Sequence, residues 1–516
     1  MNLEKVMKIR SNYLLSLVSG CIIGISIRYS VVFFLIWIGF IPLFVAIKNT
    51  KPRFSLIHGL LAGIGCSLFM LNWLITITAR YMGNSIIYGV MAFVLIAFLY
   101  SIRFSLFAYL FSKFRILEKP SSIINIMLVA AIWVVLEYIN AMITATFPWI
   151  TFHLGYVLTC CPQFIQVAEF SGVFGVSFLI IVINFVFYLF IITKKRSYMY
   201  ASIAILIVQF LFGWLIMHNI PNNGQKVKIA IIQENIPAKL RWNENMPESI
   251  VEKYYLSPLS EAVKHQPNLI LWSETAIPWK FFQDDNLVYD FLNISWSTQA
   301  GHIIGMHSEV PNKPDKTYNS AFYIHPDGAV TGKYDKMYPL TFLEAPVYNG
   351  DKLGNLMLPF FKKSVLNIEP GTRLNLLKTP YGNIGMSICN ESLLGFHARN
   401  SVKAGANFLM VMSNDAWFAD TRFPYYHFTH MMMRAVENRR DVAVNSNVGY
   451  AAIVNASGEI VTQNISDQPT VINGFITQRN QKTFYTTHGD VFSMVCIAFV
   501  IIFIIRSFIS KKIKGD

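Results

Sequence analysis

Charge is scarce in this chain. Only 14% of its 516 residues are Asp, Glu, Lys or Arg, where a soluble globular domain carries about 25%. With 54% hydrophobic residues and a mean hydropathy of +0.43, that shortage excludes an ordinary soluble protein and calls for a large membrane part. Acidic residues are the scarcer kind: 29 Asp and Glu stand against 43 Lys and Arg, a net charge of +14. Such a surplus can mark a nucleic-acid binder, but here Lys and Arg gather in short blocks between apolar runs, which argues against nucleic acid as a partner. Cysteine is also scarce. Of the six, Cys21, Cys66 and Cys496 lie inside apolar runs, Cys160 and Cys161 are neighbours, and Cys389 is alone between Asn222 and Asp490. A disulfide framework is not expected from that distribution. Repeats, low-complexity tracts, Gly-rich phosphate loops and His/Cys/acidic clusters at metal spacing are all missing. His427 and His430 stand three apart with no third ligand evident and read as helix-surface or packing residues. No cofactor is expected.

What is abundant is apolar length. Apolar runs near residues 12–27, 30–47, 54–79, 84–112, 122–141, 164–193 and 198–217, and another near 491–509, mostly approach or exceed the roughly 20 residues that cross a bilayer. The first, with Leu17-Val18-Ser19-Gly20-Cys21, reads as an uncleaved signal anchor because Ile22 to Ile27 continue the run. Basic blocks at Lys5/Lys8/Arg10, Lys48/Lys51/Arg53, Lys113/Arg115/Lys119 and Lys194/Lys195/Arg196 alternate with connections holding only Arg28 or Arg80. The positive-inside rule makes these blocks cytoplasmic. An odd number of crossings before Asn222 then puts the following segment outside, and the last run returns the basic tail to the cytoplasm. The expected domains are a transmembrane bundle over 1–221, an extracytoplasmic domain over 222–485, and a terminal helix with its tail over 486–516. Within the bundle, Glu137, Glu169 and Asn72-Trp73 are polar exceptions that read as helix-bonded or interfacial groups. Phe147-Pro148-Trp149 reads as an outer interfacial marker.

From Lys226 the pattern changes. Residues 226–236, 268–274, 301–310, 407–415 and 450–461 read as strands, and 321–336 as a hairpin around Pro326-Asp327-Gly328. Residues 246–265 and 425–440 read as helices. Strands alternating with helices over this length predict one α/β domain.

Three of these elements end in complementary ionisable groups. LILWSE ends at Glu274, GKYDK delivers Lys336, and GMSIC, alternating apolar and small residues, ends at Cys389. A carboxylate, an amine and a thiol together can run acyl transfer. A free thiol is only about 3% ionised at pH 7, so it needs a base, which Glu274 can be. A cation about 4 Å from the developing oxyanion contributes roughly 4 kcal/mol at an effective dielectric near 20, which Lys336 can supply together with the Asn390 N–H.

The motif text is more specific. LWSETAIP, KYDK followed eight residues after the lysine by Glu344, SICNES and SNDAWF occur in the order and spacing of the nitrilase superfamily. With spans before and one after, nearly the whole chain resembles the apolipoprotein N-acyltransferases of the bacterial envelope, although the membrane half matches mainly in span count, Asn72-Trp73 and FPW. That resemblance implies an α-β-β-α sandwich carried by a bundle of about eight transmembrane helices in the inner membrane, with the catalytic domain on the periplasmic side. It implies Cys389 as a nucleophile that takes a fatty acyl chain from a membrane phospholipid as a thioester, Glu274 as general base and Lys336 as oxyanion-stabilising cation. Glu344 and Glu391 would position the lysine and support the base, and Trp242 would stand at the substrate mouth. The acceptor would be the α-amine of S-diacylglyceryl-cysteine on an apolipoprotein, in a ping-pong cycle.

Two departures stand out. The family's Tyr after the nucleophile is Asn390 here, and the segment usually close to LVPFGE is YPLTFLE, with Leu343 in place of Gly. Both fall near the acyl and leaving-group pockets, so they bear on substrate identity more than on reaction type. A membrane-tethered nitrilase-type amidase, or an acyltransferase with a different amine acceptor, fits the same three residues. The apolar stretch Leu356 to Phe361, followed by Lys362-Lys363, suggests a loop in 345–373 that dips into an anionic bilayer surface or packs on the core. A monomer is the default, because the site needs no second chain.

Overall fold

The computed structural model describes residues 3–118, 121–145, 151–221, 223–237, 240, 247–283, 285–340, 344 and 367–514. Two compact units emerge, one from 1–144, 150–219 and 488–516, the other mainly from 220–487.

The first unit is helical, with α1 (Leu3–Arg28), α2 (Ile41–Ile47), α3 (Pro52–Met70), α4 (Trp73–Tyr81), α5 (Ile86–Lys113), α6 (Ile123–Ile143), α7 (Ala168–Thr193) and α8 (Arg196–His218). Among the described residues, seven segments are long and apolar enough to cross a membrane: Ser11–Arg28, Ser30–Ile47, Pro52–Met70, Ile86–Lys113, Ile123–Ile143, Ala168–Thr193 and Arg196–His218. A shorter apolar helix follows at Val491–Ser507. Two of the expected runs are broken. Residues 30–47 form a 3-10 segment, Ser30–Trp37, and then α2. The 54–79 run divides between α3 and α4 at Leu71-Asn72.

The polar residues of this unit close those breaks. Backbone in an apolar medium must have its hydrogen bonds satisfied internally. Asn184 of α7 accepts from Phe40 N (2.9 Å) and donates to Ile36 O (2.8 Å), bridging the break before α2. The irregular stretch between α6 and α7 is served in the same way. Glu137 accepts from Leu154 N (2.9 Å), Arg103 donates to Phe152 O (3.2 Å), Ser177 accepts from Gly155 N (3.0 Å) and Gln209 donates to Phe164 O (2.7 Å). Arg28 donates to Asn72 Oδ1 (2.5 Å) where α3 gives way to α4. Glu137 and Asn72 are thereby tied into the helix scaffold.

Among the described residues, the second unit holds twelve strands in two six-stranded sheets. The first runs β12-β1-β2-β3-β4-β5 and the second β11-β10-β9-β8-β7-β6. The strands are β1 (Lys226–Gln233), β2 (Leu269–Leu271), β3 (Gly301–Glu309), β4 (Thr317–Ile324), β5 (Val330–Asp335), β6 (Leu377–Thr379), β7 (Gly382–Ile388), β8 (Phe408–Ser413), β9 (Val442–Ser446), β10 (Ala451–Val454), β11 (Ile460–Asn464) and β12 (Thr470–Thr477). The centre of each sheet is parallel, β1-β2-β3 in one and β7-β8-β9 in the other.

The two-residue side-chain period separates two kinds of core. Val227, Ile229 and Ile231 of β1, Ile384, Met386 and Ile388 of β7, and Met410 and Met412 of β8 fill the space between the sheets. Alternate residues face outward. Ala230 and Ile232 pack with Tyr255, Leu259, Trp272 and Phe291 on one side, and Leu409 and Val411 pack with Ala398, Phe428 and Met431 on the other. Sheets buried on both faces read as near-continuous apolar runs, and each fully buried aliphatic side chain contributes about 1.5–3 kcal/mol. The result is the α-β-β-α sandwich. The predicted hairpin is β4–β5, with Gly328 at φ 90° in its turn. The predicted helices are a segment over 248–263 containing a π turn at Glu252–Leu256, and Phe423–Asn438.

Candidate active site

The ends of β2, β5, β7 and β8 converge on one edge of the sandwich. Glu274 N meets Ser413 O at 3.4 Å, joining the loops after β2 and β8. Tyr334 of β5 donates to Glu391, which follows β7, at 2.8 Å. Carboxyl ends of parallel strands are where α/β folds leave a crevice for ligands. Gly305 in β3 makes room for the first of these loops: a Cβ there would lie 2.4 Å from Ser273 O and 3.0 Å from Glu274 Cα.

Lys336 is fully buried one residue past β5, and its Nζ is 2.7 Å from Glu344 Oε2 and 3.4 Å from Glu274 Oε1. Burial alone would lower the lysine pKa, but the charges of Glu344 and Glu274 reverse this and hold it above its ordinary value. Glu344 is fixed by accepting from Leu340 N (2.6 Å). Burial raises the Glu274 carboxyl above the usual carboxylate range, with Lys336 opposing.

Cys389 begins the 3-10 turn Cys389–Leu393 straight after β7, and its φ is 53°. A non-glycine residue in the left-handed region costs of order 1–3 kcal/mol and persists only where its surroundings enforce it. Those surroundings are visible. Glu391 accepts from Ile388 N (2.8 Å), Tyr334 Oη (2.8 Å), Met337 N (2.7 Å) and Tyr338 N (3.2 Å), tying the Cys389 turn to the segment after Lys336. Asn390 donates to Tyr338 O (2.8 Å) across the same seam. The partly buried thiol is pushed well above its usual pKa by burial and by the Glu274 carboxylate, while Lys336 pulls it down. At rest it is a thiol and needs a base to become a nucleophile.

The structure thus brings together Glu274, Lys336, Glu344, Cys389, Asn390 and Glu391. Glu391 supports main chain and Tyr334, and its hydrogen bonds go to the turn and to the lysine segment. Trp242, Leu343, Phe147-Pro148-Trp149 and residues 345–366 lie outside the described residues; Ile368, just after, donates its N–H to Glu344 O (2.8 Å).

Two participants escaped the sequence reading. Asn319 of β4 donates to Glu274 Oε1 (2.8 Å) and Glu344 Oε1 (3.3 Å), and its carbonyl accepts from Lys336 N (2.8 Å). Nothing in TYNSAF distinguishes this Asn from a solvated strand residue. His427 is the second: of its two readings, helix-surface or packing, it takes the packing one, being 1% exposed, and its contacts are with the site, Nδ1 3.1 Å from Asp415 Oδ1 and Nε2 3.1 Å from Cys389 O. His430 is buried too, its Nδ1 on Tyr426 O at 2.7 Å. Asp415 in SNDAWF, a motif already singled out, was the available signal.

A carboxylate, a buried ammonium and a thiol on a sharp strand-to-turn corner thus stand at one edge of an α-β-β-α sandwich in a membrane protein. Residues 228–482 match the carbon-nitrogen hydrolase family, and residues 19–186 match the apolipoprotein N-acyltransferase N-terminal domain. The chain is 28% identical over 502 residues to the apolipoprotein N-acyltransferase of Geobacter metallireducens, covering 95% of this chain and 94% of the relative. It is 26% identical to that of Wigglesworthia glossinidia brevipalpis (88% and 89% covered) and 24% identical to that of Coxiella burnetii (95% and 100% covered). A solved carbon-nitrogen hydrolase from Helicobacter pylori shares 18% identity with a TM-score of 0.36, over 49% of this chain and 89% of that one. The two matches take in most of the chain, which is similar along its length to apolipoprotein N-acyltransferases.

Proposed function

We propose that this protein moves a fatty acyl chain from a membrane phospholipid to the N-terminal α-amine of S-diacylglyceryl-cysteine on apolipoproteins, by a ping-pong cycle through Cys389. The observation that carries the reading is the meeting of Glu274 and Lys336 (3.4 Å apart) beside a cysteine held in a left-handed turn. It stands in a chain that also carries the family's membrane domain.

In the first half-reaction Glu274 takes the Cys389 proton as sulfur attacks the acyl ester carbonyl. The raised carboxyl pKa makes Glu274 a stronger base than an ordinary carboxylate. Lys336 and the Asn390 N–H face the oxyanion; removing one such donor costs about 10²–10³ in rate. Collapse breaks the ester C–O bond, Glu274 returns the proton to the leaving alkoxide, and lysophospholipid departs from a Cys389 thioester. In the second half-reaction the α-amine attacks that thioester, Glu274 accepts its proton, and the amide leaves as the thiol is re-formed. Glu344 holds Lys336 in place, and Glu391 holds the turn.

The membrane unit, residues 1–221 with the terminal helix, tethers the catalytic domain to the bilayer in which both lipid substrates reside. Its basic connections support a domain on the periplasmic side of the inner membrane. No second chain is required by the site.

The test uses the full-length protein in phospholipid nanodiscs with a synthetic S-diacylglyceryl-cysteine peptide. N-acylation of that peptide, absent when its α-amine is acetylated and absent in Cys389→Ala, is the expected result. Equal turnover of unrelated amines, or release of free acid with no amide, would replace it with the amidase or broad-acceptor reading.

A further inference from the structure

The loop after β8 and the Phe423–Asn438 helix bring a second ionisable pair to the turn that carries Cys389. Asp415 and His427 are 2% and 1% exposed. The imidazole Nδ1 lies 3.1 Å and 3.3 Å from the two Asp415 oxygens, and Nε2 lies 3.1 Å from Cys389 O and 2.9 Å from Ser392 Oγ. Ser392 Oγ itself donates to Cys389 O (2.8 Å), and Ser413 Oγ donates to Asp415 (3.2 Å).

These contacts favour one assignment of the protons. Asp415 is an acceptor, so Nδ1 carries a hydrogen. Cys389 O is also only an acceptor, so an unprotonated Nε2 at 3.1 Å would set lone pair against lone pair. The single Ser392 hydrogen is spent on Cys389 O, which leaves its oxygen free to accept from Nε2–H. Every contact is satisfied when both ring nitrogens are protonated.

We propose that His427, kept as an imidazolium by Asp415, is a positioning residue that acts through the Cys389 carbonyl to hold the left-handed turn and to strengthen the Asn390 N–H as an oxyanion donor. The carbonyl that His427 binds and the N–H that faces the oxyanion belong to the same peptide group, Cys389–Asn390. A cationic donor on the oxygen fixes the plane of that group and polarises it, and a polarised amide donates a stronger hydrogen bond. The turn therefore has two supports: Glu391 anchors the chain on either side of Cys389, and His427 anchors the peptide that leaves it. The charged groups facing His427 agree with this protonation. Burial lowers its pKa, but the Asp415 carboxylate, the Cys389 carbonyl and the Glu274 charge together raise it. Lys336, the nearby cation of the site, is itself paired with Glu344 and Glu274. On the same helix Arg434 is paired with Glu437, and His430 bonds to Tyr426 O.

The inference rests on the acyl-transfer reading, and its test separates the two. The rate of Cys389 acylation by phospholipid is measured for the full-length protein between about pH 5 and about pH 10, in the parent, Asp415→Asn and His427→Gln. Asp415→Asn keeps the side-chain shape and removes the charge that favours the imidazolium. Its alkaline loss of rate moves to lower pH by about one unit or more, with KM for the donor lipid within about twofold and rate recovered on acidification. His427→Gln lacks that limb and is slow throughout. Nitrogen-15 histidine spectra of the parent, with the His427 signal assigned by its absence in His427→Gln, show both ring nitrogens protonated at neutral pH. A parent that forms no acyl-Cys389 at any pH overturns the functional reading. A parent that acylates, while Asp415→Asn keeps the parent's limb or loses rate equally at every pH, overturns the role given to His427. An unprotonated Nε2 in the parent does the same without any variant having to fold.

Discussion

The Lys336 ammonium is bound more closely to Glu344, at 2.7 Å, than to Glu274, at 3.4 Å. In the proposed mechanism that asymmetry divides the labour of two carboxylates around one cation: Glu344 neutralises and fixes the lysine, and Glu274 takes the thiol proton. Glu344→Gln is expected to loosen Lys336 and to leave a buried charge half compensated. Breaking one partner of a buried pair costs about 3–5 kcal/mol, and because Glu274 remains, the low end applies. A clear fall in thermal midpoint, with Cys389 acylation slowed about tenfold to a hundredfold, is the expected outcome. Unchanged acylation would mean that Lys336 is positioned without Glu344.

Asn319 donates to the ionised form of Glu274 at 2.8 Å. That bond lowers the Glu274 pKa against the burial that raises it. The base must be ionised to accept a proton, so activity is lost as pH falls through the Glu274 pKa. Asn319→Ala removes the donor and should move that acid limb upward by about one pH unit. The pH profile of acylation in parent and variant checks the sign; a limb that stays put or moves down contradicts the assignment of Glu274 as base.

Cys389 has φ 53°, so its backbone conformation costs less for glycine than for any residue with a Cβ. Cys389→Ala and Cys389→Gly should both be inactive, yet the glycine variant should be the more stable by about 1 kcal/mol. Thermal melts of the two proteins side by side read this directly. The comparison isolates the strain stored at the nucleophile, since both variants lose the same sulfur.

Much of this arrangement is legible in the sequence, and the reason is local. Helices that face lipid are apolar all round, so the spans stand out by length alone. The breaks within them do not, because Asn184 and Glu137 close gaps that lie far away in the chain. The strand ends at Glu274, Lys336 and Cys389 are visible because each apolar run stops abruptly at an ionisable residue. β9, β12 and the short β6 were missed; VAVNS and TVINGFIT mix small and polar residues whose burial comes only from neighbouring strands. Asn319 was missed, and the link from His427 to the Cys389 turn was not foreseen, for a related reason. Their roles come from contacts 45 and 38 residues away, with Glu274 and Cys389, and a lone Asn in a strand or His in a helix carries no local mark of that.

The placement of the catalytic domain outside the cytoplasm rests on Lys and Arg in the connections. With Cys160, Cys161 and Cys389 changed to Ser, Gln463→Cys in exposed β11 should react with a membrane-impermeant maleimide on intact spheroplasts. Lys51→Cys, also exposed, should react only after lysis. The reverse pattern would invert the topology.

The ping-pong cycle turns on a covalent acyl-Cys389 intermediate, which mass spectrometry detects. Full-length protein incubated with phospholipid and no acceptor, then digested, should yield a hydroxylamine-labile fatty-acyl group on the peptide containing Cys389. That group should be absent from Cys389→Ala and strongly reduced in Lys336→Met. It should disappear from the parent when an S-diacylglyceryl-cysteine peptide is added, as the chain passes to the amine. A folded parent that never carries an acyl group, while still N-acylating the peptide, would contradict a ping-pong cycle through Cys389 and require direct transfer between the two lipids.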